Sequence, residues 1–150
     1  LVRVKKLAYS SNTQGRTTAI NYFSINKSVY FVDLPGYGFA KLSRDRQEKL
    51  GKQISWFVGE SGVPFRCFVL IVDAEIGLKD SDHATYALLA DTGHRIVLVA
   101  NKADKGKQND VAKNVLTLRT MFPEATVVRY SAKTGEGRNE LLPVLLEDRD

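Results

Sequence analysis

The sequence has almost no cysteine, since Cys67 is the only one among its 150 residues. A single cysteine excludes a disulfide framework within the chain. Cys67 lies in the apolar run CFVLIVD at residues 67–73, where we expect a buried and unreactive thiol. A free thiol of this kind is typical of a reducing compartment.

Long hydrophobic runs are missing as well. No apolar stretch approaches the roughly 20 residues that a membrane-spanning helix needs, so we expect no membrane partner. Internal repeats, low-complexity tracts and linkers rich in Pro, Gly or Ser are also absent. We therefore expect one domain over residues 1–150, which is long enough to bury a sizeable core.

Acidic residues are in the minority. The chain has 22 Lys and Arg against 17 Asp and Glu, a net charge of +5 at pH 7. An ordinary basic surface explains this excess, and so does a polyanionic partner such as RNA or a nucleotide. Charge alone does not decide between them.

Four short and continuous apolar segments are present, of the kind typical of strands buried on both faces of a parallel sheet. They are VYFVD (29–33), CFVLIVD (67–73), RIVLVAN (95–101) and ATVVRYS (125–131). Two extended runs around a turn at Asn26 and Lys27 add an antiparallel hairpin. The pattern predicts a three-layer α/β fold with a mostly parallel sheet and one antiparallel edge hairpin.

Helical spacing of apolar residues predicts helices between these strands. One begins after Ser43, the N-cap candidate, and a second, defined by the weak stripe Ala84, Ala87, Leu88 and Leu89, covers 81–91. The third runs from 110 onward, where Val111, Val115, Leu118 and Phe122 fall nearly on one face. The last, GRNELLPVLLE, is short and carries a proline, which tends to interrupt a helix interior.

Polar clusters end three of the predicted strands: DLPG (33–36), NKAD (101–104) and SAK (131–133). Each cluster alone is compatible with an ordinary turn. Ligands of open α/β sheets bind outside the carboxyl ends of the strands. The order and placement of the three clusters therefore predict one shared ligand site.

With these clusters the chain resembles the translation-factor-related class of P-loop GTPases, and within it the EngB family. The resemblance covers essentially the whole chain. Its most specific parts are KKLAYSSNTQGRTTAINYF, FVDLPGYGFAKLS, NKADK and YSAKTGEG. Gln14 departs from the proline that members commonly carry in the segment TQGRT.

The resemblance implies a Ras-like P-loop GTPase fold and a GTP-binding protein that acts in assembly of the large ribosomal subunit. Its implied ligands are GTP or GDP with Mg²⁺, and its implied partner is ribosomal RNA or a precursor of the large subunit. It further implies a monomer in the cytoplasm, with the mitochondrion or plastid as the alternative location.

The base-reading residues follow from the last two clusters. The Asp104 carboxylate can accept two hydrogen bonds from guanine N1–H and N2–H₂, a pair that adenine lacks. Asn101 is expected to donate to N7, and the Lys102 stem to lie along the purine. A backbone N–H of the SAK loop is expected to reach O6. The predicted guanine-binding residues are Asn101, Lys102, Asp104, Ser131, Ala132 and Lys133.

The phosphate side is assigned by the resemblance. Asp33 is expected to hold a water on Mg²⁺, and Gly36 to give its N–H to the γ-phosphate. Thr17 is the predicted Mg²⁺ ligand, with Thr13 as second choice. Tyr37 occupies the place of the water-orienting glutamine of many GTPases, so no catalytic residue is assigned.

The phosphate-binding motif Gly-x-x-x-x-Gly-Lys-Ser/Thr does not occur in the 150 residues. We therefore expect an N-terminally incomplete G domain without its first strand and P-loop, which as given lacks tight GTP binding and hydrolysis. The alternative function is a non-catalytic, degenerate G domain that binds RNA or a ribosomal particle.

Overall fold

The computed structural model describes residues 1–2, 20–35 and 44–147. These residues divide into two compact units, residues 2–63 and residues 64–150, with Leu1 counted in the second. The elements in chain order are β1 Asn21–Ile25, β2 Val29–Asp33, α1 Arg44–Gly59, β3 Phe68–Asp73, α2 Asp80–Ala90, β4 Ile96–Asn101, α3 Gln108–Met121, β5 Thr126–Arg129 and α4 Arg138–Leu146.

The first unit contains the predicted hairpin. Strands β1 and β2 pair antiparallel. Asn26 and Lys27 between them have φ of 51° and 57°, the left-handed conformation that tight hairpin turns require. The Ser28 N–H closes the turn on the Ile25 carbonyl at 3.1 Å. The prediction of a hairpin with its turn at these residues is confirmed.

Helix α1 completes this unit and begins one residue after the predicted N-cap, which itself lies outside the described residues. Phe57 and Val58 are buried near its end. The Phe57 ring meets Tyr22 of β1 edge-to-face, with centroids 6.2 Å apart. Aromatic pairs favour this geometry, and it holds the helix against the hairpin.

The second unit is built on a parallel sheet in the order β3-β4-β5. Its strands match the apolar segments predicted from the sequence. Strand β5 ends at Arg129 rather than at residue 131, because the Ser131 N–H donates to the Glu136 carbonyl in the following loop. Among the described strands, the hairpin and the parallel sheet form separate ladders. The α/β class, with a parallel sheet and an antiparallel hairpin, is confirmed.

Helices lie on both faces of the parallel sheet. Leu70, Leu98 and Val127 point to one face and share a core with α3. The predicted stripe of that helix is buried, namely Val111, Val115, Leu118 and Phe122. On the other face Val99 and Val128 are buried, and α4 packs against β5. This double coverage accounts for the continuous apolar run of β4. The expectation of burial on both faces is wrong for β3, which leaves Val69 and Ile71 exposed.

Helix α2 differs from its prediction. The structure exposes Ala84, Ala87 and Leu88, and of the predicted stripe only Leu89 is buried. Asp82 is buried instead, because its carboxylate accepts the Lys79 N–H at 2.9 Å and caps the helix start. The spacing of apolar residues does not predict a polar side chain that is buried because it caps a helix.

Helix α4 continues through Pro143 to Leu146. Two arginines from outside the helix donate to its last carbonyls: Arg66 to Leu146 at 2.7 Å, and Arg95 to Val144. Such donors satisfy carbonyl groups that a helix end leaves open. In the part of the chain that the structure describes, no helix is both long and apolar enough to cross a membrane.

Candidate functional site

The second and third polar clusters meet at the carboxyl edge of the parallel sheet. Asn101 is the last residue of β4 and pairs with Asp73, the last residue of β3. The SAK loop follows β5, and the Tyr130 N–H still donates to the Ala100 carbonyl at 2.9 Å. Because parallel strands end at one edge, residues far apart in sequence become neighbours there.

Asn101 ties the two clusters together. Its side-chain oxygen accepts the Ala132 N–H at 3.0 Å, and the Ala103 N–H donates to the Tyr130 carbonyl at 3.1 Å. The NKAD segment and the SAK loop are therefore one hydrogen-bonded body rather than two independent turns.

Asp104 is oriented by Ser131. The buried Ser131 hydroxyl donates to Asp104 Oδ1 at 2.6 Å and accepts the Thr134 N–H at 3.1 Å. The hydrogen bond from Ser131 holds the pKa of the Asp104 carboxyl below its usual value. At neutral pH this side chain is therefore an ionised acceptor in a fixed orientation.

The SAK loop is a closed turn. The Gly135 N–H donates to the Ser131 carbonyl at 2.8 Å, and the Ser131 N–H donates to the Glu136 carbonyl at 3.0 Å. The backbone donors of Ser131 and Ala132, predicted to serve guanine O6, thus already have acceptors within the protein. Only the Ala132 donor faces a side chain that can move.

Lys102 has an unusual backbone. Its φ is 65°, in the left-handed region that non-glycine residues rarely adopt. Its ammonium nitrogen lies 2.5 Å from Asp73 Oδ2. Burial alone would raise the pKa of Asp73, but the hydrogen bond from Lys102 and those from two backbone N–H groups hold it below its usual value.

Lys133 is a strongly exposed member of the site. Its side chain is 80% exposed, and its nitrogen lies 4.0 Å from Asp104 Oδ2. An ion pair this open and this long contributes little to stability. The side chain therefore remains available to a ligand.

The predicted phosphate-side residues are placed only in part. Thr17, Gly36, Thr13 and Tyr37 lie outside the described residues. Asp33 is the last residue of β2, and most of the residue is exposed. Its carboxyl group is partly buried, and this burial raises the pKa of the carboxyl. Over the described ranges, no group of three or more His, Cys, Asp or Glu could hold a metal ion.

Two residues at this edge were not predicted from the sequence. Asp73 holds Lys102, and Asn114 of α3 donates to the Ala74 carbonyl at 3.0 Å, which supports the loop after β3. A signal for Asp73 exists, because it ends a buried strand as Asp33 and Asn101 do. Asn114 carries no such signal.

The chain has many relatives among known proteins. A family model described as "50S ribosome-binding GTPase" matches residues 1–102. "Probable GTP-binding protein EngB" of Natranaerobius thermophilus is 37% identical, over 97% of this chain and 76% of the relative. The protein of the same name from Aquifex aeolicus is 35% identical, over 94% of this chain and 77% of the relative.

Solved structures show a similar fold. A crystal structure described as a probable GTP-binding protein engB matches with a TM-score of 0.71 and 23% identity, over 87% of this chain and 82% of the other. Era, in complex with MgGDPNP and a segment of 16S ribosomal RNA, matches with a TM-score of 0.74 and 21% identity, over 97% of this chain and 50% of the other.

Proposed function

The chain belongs to the EngB family of GTP-binding proteins, and we propose that it reads the guanine base at the edge formed by its NKAD segment and SAK loop. Asn101, Lys102 and Asp104 supply the first part of this site, and residues 131–133 the second. We also propose that residues 1–150 belong to one G domain.

The orientation of Asp104 carries this proposal. The carboxylate is held at one oxygen by the Ser131 hydroxyl, and its low pKa keeps it ionised. A carboxylate accepts up to about four hydrogen bonds, so acceptor capacity remains for guanine N1–H and N2–H₂. Adenine presents an acceptor at N1 and no amino group at C2, so it cannot form this pair.

The remaining base contacts need one local exchange. The Ala132 N–H donates to Asn101 Oδ1 in the structure. Guanine O6 would take over this N–H, and the Asn101 amide would turn its NH₂ toward N7. The exchange replaces one hydrogen bond by two across the base, while the buried Ser131 hydroxyl stays on Asp104.

We propose that the DLPG cluster serves the phosphates and Mg²⁺. Asp33, with Thr17 or else Thr13, would hold the ion, and Gly36 would approach the γ-phosphate. The Asp33 carboxylate fits, since Mg²⁺ prefers oxygen ligands, and a cation beside it would favour its charged form. When bound, Mg²⁺ neutralises charge on the β- and γ-phosphates.

We extend the proposal to GTP hydrolysis coupled to assembly of the large ribosomal subunit in the bacterial cytoplasm. The curated relatives named above are bacterial, and the matching family model is described as ribosome-binding. The net charge of +5 equally favours the second candidate, a degenerate G domain that binds RNA without turnover. A phosphate-release assay on the chain extended at its N-terminus by the first strand and P-loop of an EngB relative separates the two, because only the first candidate then releases phosphate from GTP.

The guanine assignment is tested by Asp104→Asn. Amide signals of the 150-residue chain are followed by NMR while GDP, XDP or ADP is added to millimolar concentration, which detects weak binding. Asparagine presents a donor toward position 2, where xanthine has a carbonyl. We expect roughly tenfold to hundredfold weaker GDP binding, as for loss of a charged acceptor, and a preference for XDP.

The exposed Asp91→Asn serves as the charge-matched control and should bind GDP as the wild type does. Unchanged GDP affinity in Asp104→Asn would remove Asp104 from the site. Equal binding of GDP and ADP by the wild-type chain would overturn the guanine assignment itself.

A further inference from the structure

Asp73 is a largely buried acid at the proposed guanine site. Its side chain is 13% exposed, and it ends β3 beside Asn101, the last residue of β4. Its Oδ2 lies 2.5 Å from Lys102 Nζ. Its Oδ1 accepts the N–H groups of Glu75 at 3.0 Å and Ile76 at 3.4 Å. Both carboxylate oxygens are therefore engaged.

Lys102 is held differently from Asn101 and Asp104, the other two polar residues of the NKAD segment. Its neighbours Asn101 and Asp104 are fixed by side-chain hydrogen bonds to the SAK loop. The backbone of Lys102 is held at a φ of 65°, a conformation that costs a non-glycine residue free energy and persists only where the surroundings enforce it.

The flexibility of the Lys102 side chain opposes ligand binding. It is a charged group on a flexible four-carbon stem, and it is 48% exposed. A free stem would sample many rotamers and would lose this freedom when a purine packs along it. An anchored ammonium removes most of that loss before the ligand arrives.

We propose that Asp73 is a positioning residue of the guanine site, which fixes the Lys102 ammonium so that the lysine stem is ready to lie along the purine. The inference rests on the proposed function of this site. Asp73 itself does not touch the base, and its effect passes through Lys102.

A purely structural role for Asp73 makes the opposite prediction for one variant. If Asp73 only closed the turn after β3, an asparagine would serve, because its side-chain oxygen can also accept the N–H groups of Glu75 and Ile76. If Asp73 acts by its charge on Lys102, asparagine fails although the turn is retained. If the role is structural, only Asp73→Ala should weaken GDP binding. If Asp73 acts by its charge, Asp73→Asn should weaken it as well.

The experiment is a double-mutant cycle read by GDP titration of the 150-residue chain, with NMR detection of the weak complex. Asp73→Asn is combined with Lys102→Met, which keeps an unbranched apolar stem and removes the ammonium. We expect Asp73→Asn to weaken GDP binding by about fivefold, near the upper range for a partly exposed ion pair. In the Lys102→Met background, the same substitution should have no further effect.

Urea unfolding of every variant shows whether the fold is kept, and Asp91→Asn controls for the loss of one negative charge. Equal GDP affinity of Asp73→Asn and wild type would overturn the role of Asp73 alone. An undiminished effect of Asp73→Asn in the Lys102→Met background would overturn it too, since Asp73 would then act by another route. Failure of the wild-type chain to bind any guanine nucleotide would overturn the proposed function and this role with it.

Discussion

Gly137→Ala is expected to destabilise the fold next to the proposed guanine site. Gly137 closes the SAK loop and is the N-cap of α4, with a φ of 77°. A Cβ built at this position would overlap the Arg129 carbonyl oxygen and would also crowd Tyr130. The overlap is with backbone, so no side-chain rotation relieves it.

The expected loss in the free energy of unfolding of Gly137→Ala has two parts, one from the backbone conformation and one from the steric overlap. A left-handed φ costs an alanine about 1–2 kcal/mol, and the less flexible unfolded chain returns about 0.4–1 kcal/mol of this. The overlap adds a displacement of β5 or α4, which breaks local hydrogen bonds at about 1 kcal/mol each. We expect a total loss of about 3 kcal/mol in the free energy of unfolding.

Gly135→Ala is the matched control. Gly135 lies in the same loop with a φ of 84°, and a Cβ there would meet nothing within 4 Å. It should therefore show only the backbone part, a loss of about 1 kcal/mol. Urea unfolding followed by circular dichroism measures both variants. Equal losses for the two would refute the argument that the Arg129 carbonyl forbids a side chain at residue 137.

The remaining predictions concern the electrostatics of the site and its partner. Ser131→Ala should raise the pKa of Asp104, because the Ser131 hydroxyl is the main cause of its lowered value. In the wild type the stabilisation from this lowered pKa is present above the unfolded-state pKa and is lost as pH falls through the folded one. An NMR titration of the Asp104 carboxyl carbon measures the shift, and an unchanged pKa in Ser131→Ala would contradict the assigned cause. Co-sedimentation with large ribosomal subunits should weaken with salt, with a log–log slope of about −0.7 to −0.9 per phosphate contact. Undetectable or salt-insensitive association would speak against a ribosomal RNA partner.

The strands and most helices of this protein could be predicted from local pattern. The segment RIVLVAN reads as a buried strand because every side chain of β4 from Ile96 to Ala100 is enclosed, and such enclosure requires continuous apolar sequence. Helix α2 shows where the pattern fails. Its buried face includes Asp82, a cap that polarity alone assigns to the surface.

Site residues divide in the same way. Asn101 and Asp104 stand out in the sequence because a polar cluster directly follows an apolar strand. Asp73 also ends a strand, but a single aspartate there is common in turns, and only its distance to Lys102 gives it a role. That the Ala132 N–H already has an acceptor could not be predicted from the sequence either, because this acceptor, Asn101 Oδ1, belongs to a different cluster.

The sequence by itself therefore determined the order of strands and helices and the chemical groups at the strand ends. These features depend on neighbours within a few residues. Only the tertiary structure decided which groups meet: Ser131 with Asp104 across 27 residues, Lys102 with Asp73 across 29, and Ala132 with Asn101 across 31. Such contacts depend on the register of parallel strands joined by helices, and a continuous apolar run such as β4 lacks the alternation that would specify which residue of the next strand it faces.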